Sequence, residues 1–191
     1  IYSLNHRLEK IALCGVDVCI VVSLNEALAN MLPEEFVRKI IVGKIRAQWI
    51  CVGNNFKFGK FASGNVGLLV ELSRVFGFRV KKFSACLWKG SAVSSTRIRQ
   101  AIVNGDFKSA QLMLGRPVSI SGEVGRGDRL GRKLGVPTAN IMPHHEVIPP
   151  CGIYAVNILW RKKTLDGVCY VGTKPTIMNK NIKKVIEVHI F

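Results

Sequence analysis

A chain of 191 residues, 48% of them hydrophobic and with a mean hydropathy of +0.23, carries enough apolar side chain for a packed core, which excludes intrinsic disorder. No apolar run reaches the roughly 18 residues of a membrane span, so none is expected here. The net charge of +16 leaves three readings: capture of polyphosphate substrates such as ATP, nucleic-acid binding, or a generally basic composition.

The length suits one domain or two small ones. Residues 1–112 hold 16 basic and 7 acidic groups and residues 113–191 hold 12 and 5, so the excess is not gathered in a tail. The six cysteines form no C-x-x-C pair, and the four histidines are not spaced to complete a zinc site with them. Cys19, Cys51 and Cys169 read as small buried hydrophobes at strand positions, a usage that fits a reducing cytoplasm. The chain opens at Ile1 without Met or a signal peptide and is expected to be a piece of a longer protein.

In chain order, Leu4, Leu8, Ile11 and Ala12 have helical spacing over 4–14, with Gly15 as the stop. Val16 to Val22 is a β-branched run that predicts a strand buried on both faces. Pro33, Glu34 and Glu35 open a helix running towards Arg46, with proline in the first turn and carboxylates at the positive dipole end. Gln48 to Val52 predicts a second buried strand, Val66 to Val75 a helix and Phe78 to Phe83 a strand. Such alternation predicts a doubly wound α/β sheet.

Past Leu114 to Pro117, taken as a domain boundary, helical periodicity stops. The runs Val118–Val124, Gly152–Trp160, Gly167–Gly172 and Lys184–Phe191, separated by turn residues, predict a small antiparallel β-barrel.

Four segments carry candidate chemistry in these elements. Val93 to Asp106 is one short helix, with Ser94 or Ser95 as cap and Gly105 as stop. Its first turn offers free N–H groups and the donors Thr96, Arg97 and Arg99, a place for a phosphate chain or simply a basic surface helix. The loop 52–60 follows a strand end, where α/β sheets bind ligands; Phe56 or Phe58 could stack on a flat ring, or merely anchor the loop. Gly125 to Asn140 packs four glycines and four basic residues into sixteen positions, able to wrap phosphates but lacking Walker A spacing.

Pro137 favours extended backbone, which puts Thr138 and Asn140 on one side, two oxygen donors suited to Mg²⁺. In the final run, Ile186, Val188 and Ile190 share an apolar face. Glu187 lies opposite with His189, as a candidate general base or as a strand glutamate paired to Lys183 or Lys184.

The segments PEEFV at 33–37, VGNNFKFG at 52–59, VSSTRIR at 93–99, LGRP at 114–117, GDRLGRKLGVPTAN at 127–140, GIYAV at 152–156, VGTKPT at 171–176 and IEVHIF at 186–191 together resemble the bacterial bifunctional riboflavin kinase/FAD synthetase family. The resemblance implies a Rossmann-like nucleotidyltransferase domain, the FMN adenylyltransferase, over 1–113 with its N-terminal part missing. A riboflavin-kinase domain over 114–191 follows, a six-stranded flavokinase barrel with its C-terminal part missing. It implies riboflavin, FMN and ATP as substrates, Mg²⁺ as cofactor and a cytoplasmic location.

In the kinase half it implies ATP binding by Gly125, Gly127, Asp128, Arg129, Gly131, Thr138 and Asn140, with Thr138 and Asn140 meeting Mg²⁺ and Glu187 activating the ribityl hydroxyl. In the other half it implies ATP binding by Ser95, Thr96 and Arg97, and flavin binding by Asn55, Phe56 and Phe58. The family's H-x-G-H loop does not occur in this chain, so no adenylyl transfer is expected from residues 1–191 alone. Two alternatives remain: a fragment that binds flavin or ATP without turnover, and a basic nucleic-acid-binding protein.

Overall fold

In the computed structural model, which describes residues 1–125, 135–144, 147–174 and 183–191, contacts group into two units, Ile1–Cys19 with Val93–Phe191, and Ile20–Ala92. The chain enters through α1 (Leu4–Ala12), whose cap Ser3 accepts from the His6 N–H at 3.3 Å. Within the same unit, buried His6 meets Ser119 through Nε2 and Oγ at 3.3 Å.

The expected strand over Val16–Val22 is absent. The segment pairs with no strand among the described residues, and Val18 is 75% and Ile20 62% exposed. A β-branched run specifies a strand only where neighbours supply a ladder, and composition does not name those neighbours.

In the unit Ile20–Ala92, α2 (Glu26–Ala29) begins at Asn25, whose side chain accepts from the Leu28 N–H at 2.9 Å. Next, α3 (Pro33–Phe36) runs straight into a π-helical stretch, Val37–Ile45, closed by Arg46 in the left-handed region at φ 55°. The expected helix from Pro33 to Arg46 is thus present, but most of it is wound to the wider i→i+5 pattern.

Strand β1 (Trp49–Gly53) is followed by the short antiparallel pair β2 (Lys57–Phe58) and β3 (Gly64–Asn65). Asn65 caps α4 (Val66–Phe76), accepting from the Leu68 N–H at 3.0 Å, and Gly77 ends it at φ 76°. The chain returns as β4 (Arg79–Phe83), parallel to β1 with Trp49 beside Arg79 and Gly53 beside Phe83. A hairpin, β5 (Leu87–Trp88) and β6 (Ser91–Ala92), completes the unit.

The core here is Val37, Val52, Phe58, Val66, Leu69, Leu72 and Phe78. The parallel pair with its crossover helix is the α/β element the alternation predicts, but the sheet has two strands among the described residues. Of β1 only Val52 is buried, so a strand covered on both faces is not what forms. Cys19 and Cys51 are exposed and Cys169 alone is buried, which corrects the expectation for the first two.

The other unit resumes with α5 (Ser95–Val103) and α6 (Phe107–Leu114), which bury Ile98, Ile102 and Ala110 against Val147. Its remaining strands are β7 (Gly122–Gly125), β8 (Ala139–Pro143), β9 (Gly152–Trp160), β10 (Lys163–Lys174) and β11 (Lys183–Ile190). They form one antiparallel sheet in the order β7-β8-β11-β10-β9.

The first of these strands begins at Gly122, four residues later than the apolar run Val118–Val124 suggested. The sheet's core face carries Cys169, Val171 and Ile186, with Ile141, Tyr154, Val156 and Val188 packed on them. Ile190, expected on that face, is 38% exposed at the strand's end. At Gly167 a β-carbon would overlap the His189 carbonyl, so the close approach of β10 to β11 there requires glycine.

Candidate functional site

Alternation in a pleated strand sends Ile186 and Val188 to the core and Glu187 and His189 to the opposite face. The register then builds one row across that face: Gly125 opposite Asn140, Asn140 opposite Glu187, Glu187 opposite Tyr170 and Tyr170 opposite Ile153. Asn140 and Glu187 are half-buried, while Tyr170 and Ile153 are exposed.

Just before β8, Thr138 donates from Oγ1 to the Glu187 carboxylate Oε2 at 3.4 Å. A hydroxyl spent as a donor towards Glu187 keeps its oxygen lone pairs for a cation or a water. Three residues up to 49 positions apart in sequence are therefore neighbours: a carboxylate, a hydroxyl and an amide.

The backbone around Thr138 is held from β11 as well. His189 Nδ1 lies 2.7 Å from the Pro137 carbonyl oxygen. That contact was not foreseen in the sequence, where His189 is merely placed on the Glu187 face. Lys184 Nζ donates to the carbonyls of Ile148 and Pro149 at 3.3 and 2.9 Å. Its ammonium is therefore directed to backbone, whereas a pairing with Glu187 was the bland expectation. Gly127, Asp128, Arg129 and Gly131, the rest of the expected nucleotide loop, lie outside the described residues.

The two segments assigned to the other half are formed as local structures. Ser94, not Ser95, caps α5, accepting from the Arg97 N–H at 3.3 Å. Ser95 and Thr96 are exposed in the first turn and Arg97 is half-buried. In the other unit, Asn55 is exposed and Phe56 half-buried. Phe58 is a core residue, with ring centroids 5.5 Å from Phe56, stacked, and 5.9 Å from Phe36, tilted. Its ring is covered by protein, so of the two aromatics Phe56 is the one with a surface to offer.

Among the described residues no cluster of three or more His, Cys, Asp or Glu could hold a metal, and no helix is long and apolar enough to cross a membrane. The donors gathered at β8 and β11 are instead the uncharged oxygens of Thr138 and Asn140 beside one carboxylate. Such a set suits a hard cation that arrives on phosphate and keeps part of its water.

The FAD synthetase family model matches residues 1–97, and the riboflavin kinase (flavokinase) model matches residues 114–191. The chain belongs to the bifunctional riboflavin kinase/FAD synthetase family. Relatives described as bifunctional riboflavin kinase/FMN adenylyltransferase support this assignment. The protein of Buchnera aphidicola subsp. Schizaphis graminum is 34% identical over 99% of this chain and 61% of its own length.

Those of Escherichia coli K12 and Bacillus subtilis 168 are 35% and 34% identical over 98% of this chain, and 59% and 60% of their own lengths. This family member thus spans about three fifths of the relatives it matches. A crystal structure titled as a macrolide-efflux protein from Streptococcus pneumoniae superposes with a TM-score of 0.83 at 27% identity, over 100% of this chain and 60% of that one.

Proposed function

We propose that this protein works in flavin-cofactor synthesis, transferring phosphate from ATP to riboflavin to give FMN and the adenylyl group of ATP to FMN to give FAD. The observation that carries the kinase reading is the approach of Thr138 to Glu187 at 3.4 Å, with Asn140 opposite Glu187 in the sheet. Phosphoryl transfer asks mainly for positioning, charge neutralisation and a group that orients the attacking hydroxyl. Glu187 takes the last role, accepting the proton of the ribityl 5′-hydroxyl. Thr138 and Asn140 would hold the magnesium-bound nucleotide through their side-chain oxygens. Bound Mg²⁺ would supply charge neutralisation on the phosphates.

With this reading go the finer features of the fold. We assign 1–113 to a Rossmann-like nucleotidyltransferase domain and 114–191 to a flavokinase barrel. The first turn of α5, with Ser95, Thr96 and Arg97, holds ATP phosphates for adenylyl transfer. Asn55 and Phe56 contact flavin, with Phe58 supporting Phe56 from beneath. Gly125 and the loop residues Gly127, Asp128, Arg129 and Gly131 hold the kinase's ATP. The location that suits these substrates and exposed thiols is the cytoplasm. The residues gathered at β8 and β11 suit group transfer rather than efflux.

The test is incubation with riboflavin, ATP and Mg²⁺, followed by chromatographic separation of riboflavin, FMN and FAD. We expect FMN from the 191-residue chain, and no FAD, because no H-x-G-H segment occurs within it to hold the transferring phosphate. Glu187→Gln is expected to lower the FMN rate by roughly 10²-fold or more, the usual contribution of a positioned acid–base group. An unchanged rate removes Glu187 from the chemistry, and absence of FMN from the parent chain leaves ligand binding without turnover as the better reading.

A further inference from the structure

We propose that His189 is a positioning residue for the kinase centre, fixing the Thr138 segment against β11 through its hydrogen bond to Pro137; this rests on the kinase reading above. Pro137 has no N–H, so it cannot donate to a sheet ladder, and the pairing of β8 with β11 ends at Ala139–Val188. The backbone just before that point, where Thr138 must be placed, is therefore beyond the β8–β11 ladder.

His189 takes over there: its Nδ1 sits 2.7 Å from the Pro137 carbonyl. A carbonyl oxygen only accepts, so Nδ1 carries the proton and donates. The ring is itself braced by Phe191, edge to face with centroids 6.0 Å apart.

The consequence reaches the chemistry through one residue. Thr138 follows directly on Pro137, and Glu187 lies two residues before His189 on the same face of β11. The His189–Pro137 bond and the Thr138–Glu187 contact thus form two adjacent cross-links between the same pair of segments. The weaker of the two, at 3.4 Å, is the one that sets the hydroxyl against the carboxylate, and the shorter one keeps it in reach. The role proposed for His189 requires no contact with substrate or metal. It acts by holding the main chain that carries Thr138.

Substitution separates this role from general stabilisation. In asparagine the amide nitrogen occupies nearly the position of Nδ1, whereas glutamine carries its donor one bond further out and leucine has none. His189→Leu is expected to raise the Mg-ATP KM about tenfold, the scale found when residues that orient metal ligands are lost, with the riboflavin KM changed by less than about twofold. His189→Asn is expected to recover most of that loss. Should the leucine variant fail to fold, His189→Gln replaces it with the same expectation.

A second readout does not depend on turnover: amide hydrogen exchange of the 136–143 segment should quicken in His189→Leu and return to the parent rate in His189→Asn. Equal impairment of the Leu and Asn variants, or unchanged exchange and KM in His189→Leu, overturns the proposal. If the parent chain makes no FMN yet the exchange contrast appears, the positioning of Thr138 by His189 stands and the kinase reading is what fails.

Discussion

At the residue scale, burial decides which side chains are chemically available, and the six cysteines separate on this ground. Five are exposed, while Cys169 is packed on the core face of the sheet beside Val171 and Ile186. Desolvation penalises its thiolate and pushes the thiol above its ordinary range. Cys169 is therefore expected to be the slowest of the six to react with a disulfide reagent at pH 8 in the folded protein, and to reach the rate of the others once denaturant is added. Mass mapping of labelled peptides over time checks this, and early labelling at Cys169 would contradict its place in the core.

The sign of the linked stability follows. Above the ordinary thiol range the unfolded chain has lost the Cys169 proton and the folded one retains it, so this group lowers stability as pH rises through that window. The same rule of burial separates Phe58 from Phe56, which look equivalent in sequence. Two residues apart across a β-hairpin start, one ring is in the core and the other half-covers it.

At the element scale, capping chemistry sets helix starts most directly. Ser3, Asn25, Asn65, Ser94 and Asp106 each accept a backbone N–H in the first turn of the helix that follows. Ser94→Ala is expected to cost about 1 kcal/mol, the usual value of a lost N-cap. It should show as a lowered denaturation midpoint with unchanged slope, and Ser95→Ala, which removes no cap bond, should leave the midpoint where it was. Equal effects of the two would mean that α5 is not capped as described.

Such ends were legible because a cap is a local bargain between one side chain and the next turn. So were the strands β9 and β11, whose alternation is local too. What composition could not reveal was partnership. Val16 to Val22 has the residues of a buried strand and pairs with none among the described residues. The π-helical winding of Val37–Ile45 leaves no mark in the sequence, since a period of 3.6 residues and one slightly longer cannot be told apart over nine positions. The Thr138–Glu187 approach was anticipated only as two separate faces, one per segment. The register that joins them is a property of the sheet. His189 was missed for a related reason: the signal is a proline carbonyl left without a ladder partner, visible once β8 and β11 are paired.

At the scale of the whole molecule, the charge of +16 is the feature that the flavin reading uses least. The two binding classes it permits differ in how they respond to salt. Riboflavin is neutral, so its capture displaces no counterions, and its affinity is expected to change by less than about twofold between roughly 50 and 200 mM salt. A nucleic acid held along a basic surface would release a counterion for each phosphate neutralised, and six or more such contacts would cost about 10³-fold or more over that range.

The basic residues are distributed over both halves, and several lie across their own aromatic neighbours, as Arg79 does over Trp49 at 5.1 Å and Arg161 over Trp160 at 4.7 Å. Rings already covered by a cation of the same chain offer less face for bases to stack on. Single-stranded RNA is therefore expected to bind only weakly at about 50 mM salt and to be lost by about 200 mM, while riboflavin titration by flavin fluorescence stays level. Tight RNA binding that survives the higher salt, together with no riboflavin quenching, would move the protein into the nucleic-acid class.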